Sequence, residues 1–302
     1  MKIFMTGGTG FVGTTLTKKL TQGNHQVTIL TRAPTQNGPL PEGATYLHGD
    51  PTEKGAWQET VAEHEVIINL AGASIFRRWT ETAREIIRES RMHTTRNLVE
   101  ALSARRGKET LILSTSAIGY YGSHEDEELN ENAPPGQNFL SSLAQEWESE
   151  ALKAEAFGAK VALLRFGIIL GKNGGALRQM VPLFNMYLGS PLGSGEQWFS
   201  WIHEEDLARI YSHLIAQKNI SGPINCTAPN PVRNIDLTKT LGEVLGKPTF
   251  LPAVPGFMLR MIMGEFGSVL LEGQKVLPKR LLDMGFHFKF PKIKRALEDL
   301  LG

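Results

Sequence analysis

The sequence has one cysteine, Cys226, in 302 residues. A single thiol cannot form an intrachain disulfide, so the composition favours a reducing, cytoplasmic location. The sequence also has almost no excess of either charge, because 32 Lys and Arg residues offset 31 Asp and Glu residues and leave a net charge of +1. We therefore expect no global electrostatic attraction to nucleic acid or to an anionic membrane.

Long uninterrupted hydrophobic runs are absent as well. Residues 256–271 are largely apolar but contain Arg260 and Glu265, and a membrane-spanning helix needs about 20 consecutive apolar residues. Met1 and Lys2 lead directly into an apolar β-like run, so we expect no signal peptide. His, Cys, Asp and Glu do not occur at metal-ligand spacing, and we expect no metal. The chain is long enough to bury a substantial core.

Up to about residue 167 the sequence alternates between apolar β-like runs and helical stretches. The β-like runs lie at residues 2–5, 26–30, 45–47, 66–70, 110–114 and 160–166. Two long helical patterns, 80–105 and 139–157, separate the later runs. This alternation predicts an α/β fold of Rossmann type, in which a doubly wound parallel sheet is covered by helices on both faces. Ligands bind such a sheet at the carboxyl ends of its strands.

The composition changes after Gly167, where glycine, proline and aromatic residues become frequent. Sheet-like and helix-like segments return before the final third of the chain, which alternates short helical patterns with proline-rich turns. We expect residues 1–167, completed by about 204–228, to form the Rossmann domain. Residues 168–203 and 229–302 are expected to form a smaller, mostly helical lobe on the substrate side.

Three glycines, Gly7, Gly10 and Gly13, occur at three-residue spacing directly after the first β-like run. An amphipathic helix pattern follows from about Phe11 and includes Val12. Glycine lets the backbone turn tightly and approach a pyrophosphate without a Cβ, and the helix N-terminus directs its N–H groups at the phosphates. A glycine-rich surface turn is the alternative, but the strand–turn–helix context favours a dinucleotide-binding turn.

The end of the second β-like run bears on which dinucleotide binds. NAD-specific sites place an Asp or Glu there, which accepts hydrogen bonds from the ribose 2′-hydroxyl. This chain has Thr31 and Arg32 instead, and its first acidic residue is Glu42. A guanidinium binds a 2′-phosphate through charge-assisted hydrogen bonds, whereas a carboxylate repels it. We therefore predict NADP(H) as the cofactor, with a solvated surface arginine as the alternative. Asp50, after the third run, suits a position beside the adenine or an ordinary turn.

Several motifs resemble those of the extended short-chain dehydrogenase/reductases. The matching segments are T-G-G-T-G-F-V-G at 6–13, N-L-A-G at 69–72, S-T-S-A at 114–117 followed by Tyr121 and Gly122, and W-I-H-E-E-D-L-A at 201–208. Three later segments resemble the epimerase family within that group, often described as nucleoside-diphosphate-sugar epimerases: 165–177, 227–232 and 270–281. The resemblance covers nearly the whole chain. It implies that Leu70, Ala71 and Gly72 line the cofactor.

The chain departs from this pattern at the residues that perform catalysis. Family members that transfer hydride use a Tyr-x-x-x-Lys pair, in which the lysine lowers the pKa of the tyrosine and holds the nicotinamide ribose. No tyrosine of this chain has a lysine four positions later, and the corresponding stretch carries Phe139 and Leu143. Ser116, Tyr120 and Tyr121 are the remaining candidates for catalytic hydroxyls. The alternatives are a hydrogen bond to nearby backbone for the serine and packing for the tyrosines.

Other polar and aromatic residues are further candidates for the site. His203, Glu146 and Glu148 carry titratable groups, although a glutamate on a helix is most often solvated. The W-F-S-W segment at 198–201 suits an aromatic wall for a planar or sugar-like ligand, or a hydrophobic contact within the lobe.

Two functions are consistent with this sequence. One is an NADP(H)-dependent oxidoreductase or epimerase that acts on a small molecule such as a nucleotide sugar, which the glycine turn, Arg32, Ser116 and the family resemblance favour. The other is a catalytically silent NADP(H)-binding protein that reports redox state to a partner, which the missing Tyr-x-x-x-Lys pair favours.

Overall fold

The computed structural model describes residues 1–34, 38–105, 109–172, 174–217 and 219–302. The strands of the described residues are β1 Lys2–Thr6, β2 Gln26–Thr31, β3 Ala44–His48, β4 Val66–Asn69, β5 Thr110–Ala117, β6 Glu128–Leu129, β7 Ala159–Phe166, β8 Ile168–Gly171, β9 Gly174–Gly175, β10 Trp198–Phe199, β11 Trp201–His203, β12 Gly222–Cys226, β13 Val232–Arg233 and β14 Lys275–Val276. The helices are α1 Phe11–Gln22, α2 Trp57–Val61, α3 Glu81–Ala101, α4 Phe139–Leu152, α5 Leu177–Asn185, α6 Glu204–Ala216, α7 Asn234–Leu245, α8 Gly256–Met263, α9 Phe266–Val269, α10 Lys279–Asp283 and α11 Ile293–Leu301.

Seven strands form one parallel sheet in the order β12-β7-β5-β4-β1-β2-β3. Strand β1 lies between β2 and β4, so the crossovers run in opposite directions from it. The carboxyl end of β1 is therefore the point at which the strand order reverses, and parallel sheets bind their ligands at this point. The glycine turn follows β1 directly and occupies that position.

Alternate residues of the apolar strands bury against helices on opposite faces of the sheet. On one face, Ile3 and Met5 pack with Leu16 and Leu20 of α1 in a core that also includes residues of α6. On the other face, Phe4 belongs to a second core, with apolar residues of α2 and α3. Because both faces are covered, the strands read as nearly continuous apolar runs. The doubly wound Rossmann-type fold that the sequence predicts is confirmed.

The remaining strands form small sheets of their own. Three small sheets have the orders β11-β8-β9, β10-β13 and β14-β6. A third core joins β8, β10, β11 and β13 to helices α5, α7 and α11, with Trp201 and Leu237 completely buried in it. Strand β12 returns to the edge of the main sheet next to β7 before the chain enters its helical C-terminal part. This arrangement places helices and short strands beside the carboxyl ends of the parallel strands.

Candidate functional site

The glycine turn between β1 and α1 has the geometry of a cradle for a bound anion. Gly7 has a positive φ of 70°, and a Cβ at Gly7 would lie 2.8 Å from the carbonyl carbon of Leu70 and 2.9 Å from the amide nitrogen of Ala71. Helix α1 begins at Phe11 with Gly10 as its N-cap, and among the described residues no side chain caps it. Its first N–H groups and positive dipole end are therefore available to a phosphate.

Buried polar side chains hold this turn against the neighbouring elements. Thr6 donates a hydrogen bond to Asn69 Oδ1 at 2.9 Å, and Asn69 donates from Nδ2 to Thr95 Oγ1 at 2.9 Å. The indole N–H of Trp147 donates to the same Thr95 oxygen at 2.9 Å, and the amide of Ala71 donates to Thr6 Oγ1 at 3.3 Å. These bonds connect β1, β4, α3 and α4 beneath the turn. These bonds were not predicted, although Thr6 and Asn69 end adjacent strands.

Arg32 and Asp50, the residues predicted at the 2′-phosphate and beside the adenine, lie close together. Thr31 ends β2, and the guanidinium of Arg32 approaches the Asp50 carboxylate at 3.9 Å. The Arg32 side chain is 78% exposed, so it can rotate toward a ligand without breaking a buried contact. Asp50 is held in place because its Oδ1 accepts hydrogen bonds from the Thr52 amide and hydroxyl at 2.9 and 2.7 Å. A hydrogen-bonded carboxylate and an exposed guanidinium thus lie side by side at the ends of β2 and β3.

The start of α1 also contacts the β8–β9 hairpin. The ring of Phe11 lies so close to Gly171 and Gly174 that a Cβ on either glycine would come within 2.2 Å of it. Val12 is half-buried against the first core, and Gly13 lies against the turn itself, where a Cβ would be 2.3 Å from the Gly7 carbonyl oxygen. Phe11, Val12 and Gly13 therefore connect the glycine turn to the first core and to the β8–β9 hairpin.

Two of the three candidate catalytic hydroxyls lie inside a buried polar cluster. Ser116 donates to Glu148 Oε1 at 2.7 Å, and Arg165 binds both oxygens of the same carboxylate at 2.8 Å. Tyr121, which is completely buried, donates to Asn225 Oδ1 at 2.7 Å and accepts a hydrogen bond from Arg165 at 3.0 Å. Both hydroxyls thus donate hydrogen bonds to side chains of the protein.

Burial keeps the Tyr121 hydroxyl protonated at neutral pH. Burial raises the pKa of Tyr121 to about 12, although the neighbouring Arg165 cation opposes the shift. Burial by itself lowers the pKa of Arg165, but its hydrogen bonds and attraction to Glu148 raise that pKa above the usual value. At neutral pH the cluster therefore contains a charged Arg165 next to a neutral phenol.

Tyr120 differs from Tyr121 in the environment of its hydroxyl. Its half-buried ring packs edge-to-face on Tyr121, with centroids 5.4 Å apart, and the Arg165 guanidinium lies 3.4 Å from the Tyr120 ring centroid. Among the described residues, no side chain or backbone group hydrogen-bonds the Tyr120 hydroxyl. The C-terminal lobe reaches the same loop, since Gln274 donates to the Ile118 carbonyl at 3.0 Å.

The positions of the missing Tyr-x-x-x-Lys pair belong to an apolar cluster. Phe139 packs edge-to-face on Trp79 with centroids 5.3 Å apart, and Trp79 contacts Phe266 at 5.5 Å. Leu143 is buried in the same cluster, and the guanidinium of Arg84 lies 4.9 Å from the Phe139 ring centroid. Apolar side chains therefore occupy the positions at which the family carries a proton-transferring tyrosine and a lysine.

Glu146 and His203, the further titratable candidates, make contacts that stabilise the fold. Glu146 lies on the exposed side of α4 and pairs with Arg88 at 2.8 Å. His203 is the N-cap of α6, where its Nδ1 accepts a hydrogen bond from the Glu205 amide at 3.0 Å. Burial lowers the pKa of His203, and its ring stacks on Phe290 at 3.9 Å. Neither group contacts the residues around the glycine turn.

The W-F-S-W segment divides between surface and core. Trp198 donates from its indole to Asp126 at 3.0 Å, and Arg233 lies over its ring at 4.0 Å. Trp201 is completely buried in the third core.

The described residues contain no group of three or more His, Cys, Asp or Glu side chains able to hold a metal. They also include no helix with the length and apolar character needed to cross a membrane.

Comparison with known proteins identifies relatives over the full length of the chain. The protein is 40% identical over 303 residues to an Arabidopsis thaliana protein called epimerase family protein SDR39U1 homolog, chloroplastic, covering all of this chain and 87% of that protein. It is 38% identical to the epimerase family protein YfhF of Bacillus subtilis, covering 100% of this chain and 98% of YfhF.

A solved structure has the same fold. The human epimerase family protein SDR39U1 (isoform 2), crystallised with NADPH, superposes with a TM-score of 0.85 at 32% identity, and 99% of each chain is covered. A family described as a domain of unknown function matches residues 254–300. The model of the NAD dependent epimerase/dehydratase family matches residues 3–226. The chain therefore belongs to the NAD dependent epimerase/dehydratase family.

Proposed function

We propose that this protein binds NADP(H) in the groove between the glycine turn, the loop after β4 and Arg32. The cradle at Gly7 and the uncapped start of α1 suit a pyrophosphate, and the exposed Arg32 suits the 2′-phosphate. The human relative crystallised with NADPH supports the same ligand. When bound, NADPH supplies a transferable hydride, while this chain binds and orients the dinucleotide. We further propose a cytoplasmic location.

In this proposal the protein uses NADP(H) as a signal and reports the NADPH to NADP⁺ ratio to a partner. The observation that carries the proposal is the apolar cluster around Phe139 and Leu143. A phenylalanine and a leucine cannot transfer a proton, and nearby Ser116 and Tyr121 donate to Glu148 and to Asn225. A bound nicotinamide would then persist without turnover. Its two redox states differ by one positive charge, which gives a conformational response a physical basis.

The domain boundaries follow from the same proposal. Residues 1–167, completed by about 204–228, hold the dinucleotide, and 168–203 with 229–302 form the lobe that covers the nicotinamide end. Phe266, in α9 of this lobe, contacts Trp79 of the apolar cluster. A change at the nicotinamide is thus transmitted to the lobe through packed side chains.

The test measures binding, turnover and conformation on the same protein. NADPH and NADP⁺ are titrated by calorimetry, nucleotide sugars are screened by nicotinamide absorbance and by product analysis, and amide hydrogen exchange is compared between the two bound states. We expect binding of both nucleotides, no turnover, and different protection in α4 and α9. Rapid turnover, or identical protection in the two redox states, would refute the sensor proposal.

A second candidate function is slow oxidoreductase or epimerase chemistry on a small molecule such as a nucleotide sugar. This second candidate is favoured by the Tyr120 hydroxyl, which lies near the carboxyl end of β5. No described residue hydrogen-bonds that hydroxyl. Tyr120 has no lysine four positions later, so it lacks the usual general acid–base partner and turnover would be slow. Slow turnover that disappears in Tyr120→Phe, but persists in Tyr46→Phe, would establish this candidate.

A further inference from the structure

The chain between Tyr121 and β6 carries four consecutive acidic residues at 125–128. Residues 123–128 are called the acidic segment below. The backbone of this segment is attached at two points, because the His124 amide donates to the Gly273 carbonyl at 3.0 Å and Glu128 pairs with Lys275 in the parallel β6–β14 sheet. The acidic segment therefore lies against the C-terminal part of the chain.

Two carboxylates of the acidic segment meet donors from three different strands. Asp126 Oδ1 accepts a hydrogen bond from the Trp198 indole at 3.0 Å and another from the Arg233 guanidinium. The Lys275 ammonium donates to Glu128 Oε1 at 2.8 Å. The Trp198 hydrogen bond lowers the pKa of Asp126, and the Arg233 charge acts in the same direction. Both contacts therefore hold an ionised carboxylate at neutral pH.

Trp198, Arg233 and Lys275, called the basic–aromatic cluster below, are fixed by the protein independently of the acidic segment. The side chains of Arg233 and Lys275 are each only 24% exposed. Their charged groups lie 4.0 and 4.9 Å from the Trp198 ring centroid. Arg233 also donates to the Glu196 carbonyl and pairs with Trp198 across the β10–β13 sheet. The cluster is thus a prepared set of donors.

The carboxylate side of these contacts is exposed. The Asp126 side chain is 74% exposed and that of Glu128 is 59% exposed. Exposed ion pairs contribute little to stability, so the acidic segment can leave at small cost. Two largely buried cations that lose their carboxylates favour the arrival of another anion. A fixed set of donors facing a weakly held acid is the arrangement of a binding site with an exchangeable occupant.

The backbone contacts indicate what kind of anion fits this site. The present occupant is a peptide, held by the hydrogen bond to Gly273 and by the pairing of Glu128 with β14 as well as by its carboxylates. Addition of a peptide to a strand edge combines main-chain hydrogen bonds with contacts of individual side chains. A free phosphate or a small carboxylic acid makes only the charge contacts.

We propose that the basic–aromatic cluster binds an acidic peptide segment of a partner protein, and that residues 123–128 occupy this site in the absence of the partner. This inference rests on the proposed function, in which the protein reports to a partner, and it assigns that partner two carboxylates two residues apart. The acidic segment begins two residues after Tyr121. Its release therefore takes place beside the proposed nicotinamide end of the dinucleotide.

The probe is a fluorescein-labelled peptide, S-H-E-D-E-E-L, that copies residues 123–129. Its control, S-H-E-N-E-Q-L, replaces the two contacting carboxylates with amides. Fluorescence anisotropy is measured on the full chain at low salt, because salt screens exposed charges. Asp126→Asn combined with Glu128→Gln removes the competing carboxylates of the chain itself. We expect this double variant to bind the acidic peptide about 2- to 30-fold more tightly than the wild type, the effect of two exposed ion pairs.

A pair of lysine variants tests the donors. Lys275→Met, added to the double variant, should reverse the gain in peptide affinity. Lys279→Met is the matched control, since Lys279 also pairs with a carboxylate, that of Asp283 at 3.0 Å, but lies in α10 outside the cluster. In the wild type, saturation with unlabelled peptide should increase amide hydrogen exchange in residues 123–128, because the peptide displaces them.

Four results would overturn the inference: no binding of the acidic peptide to the double variant, equal binding of the two peptides, equal effects of Lys275→Met and Lys279→Met, or peptide binding without increased exchange in residues 123–128. Displacement of the peptide by an equal concentration of inorganic phosphate would assign the site to small anions and overturn the peptide class as well.

The peptide measurements contain no nucleotide, so they fail independently of the proposed function. Failure of the wild type to bind NADPH in a parallel titration refutes the proposed function, whereas NADPH binding without peptide binding to the double variant overturns only this inference. Thermal unfolding identifies any variant that misfolds, and Arg233→Met tests the same cluster through a second donor.

Discussion

Replacing Arg32 with alanine should abolish the preference for NADPH over NADH. The Arg32 side chain is 78% exposed and lies 3.9 Å from Asp50, so its removal should leave stability nearly unchanged. A charge-assisted hydrogen bond to the 2′-phosphate contributes about 1.5–3 kcal/mol, which is roughly 10- to 150-fold in affinity. Because the contact is exposed to solvent, we expect a value toward the lower end, and a smaller one at high salt.

The assay is isothermal calorimetry with NADPH and NADH on the wild type, Arg32→Ala and a control variant. Arg295→Ala is a suitable control, since Arg295 is 81% exposed, approaches Glu298 at 3.5 Å and lies in α11. We expect the wild type to prefer NADPH, Arg32→Ala to bind both nucleotides with the affinity that the wild type has for NADH, and Arg295→Ala to behave as wild type. Equal affinity of the wild type for both nucleotides would refute the reasoning.

Three further predictions concern the fold and its buried charges. Deleting residues 229–302 removes α7 and α11 from the third core and should give an aggregating protein by light scattering; a monomeric product with unchanged thermal stability would contradict this. Glu148→Gln leaves the buried Arg165 without its carboxylate and should cost about 3–5 kcal/mol in chemical denaturation, whereas Glu146→Gln, at an exposed pair, should cost at most about 1 kcal/mol. Because the folded state raises the pKa of Tyr121 from 10.0 to about 12, the free energy of unfolding should fall as the pH rises between those values, and Tyr121→Phe should remove that dependence.

The features that the sequence predicted well depend on neighbouring residues. The apolar period of the strands and the glycine spacing before α1 follow local rules, and both are found where expected. Strand β5 continues three residues beyond the predicted end, to Ala117, so that Ser116 lies within it. The substitution of Phe139 and Leu143 for the Tyr-x-x-x-Lys pair was also readable, because that motif has a fixed spacing on one helix.

The features that the sequence did not predict join residues far apart in the chain. Ser116, Glu148 and Arg165 meet because α4 packs over β5 and β7, and their positions in the sequence give no sign of that meeting. A glutamate on a helix is usually solvated, and Glu148 is buried only because Arg165 faces it from the sheet.

The contact of Phe11 with the β8–β9 hairpin limits how this chain can be recombined with its relatives. The Phe11 ring fills the space over Gly171 and Gly174. Glu204 then accepts hydrogen bonds from Thr15 of α1 at 3.2 Å and from the amide of Lys172 at 3.0 Å. A chimera that exchanges the smaller lobe alone would separate partners selected to fit each other. Functional hybrids therefore need the helix start, the hairpin and the beginning of α6 to come from the same parent.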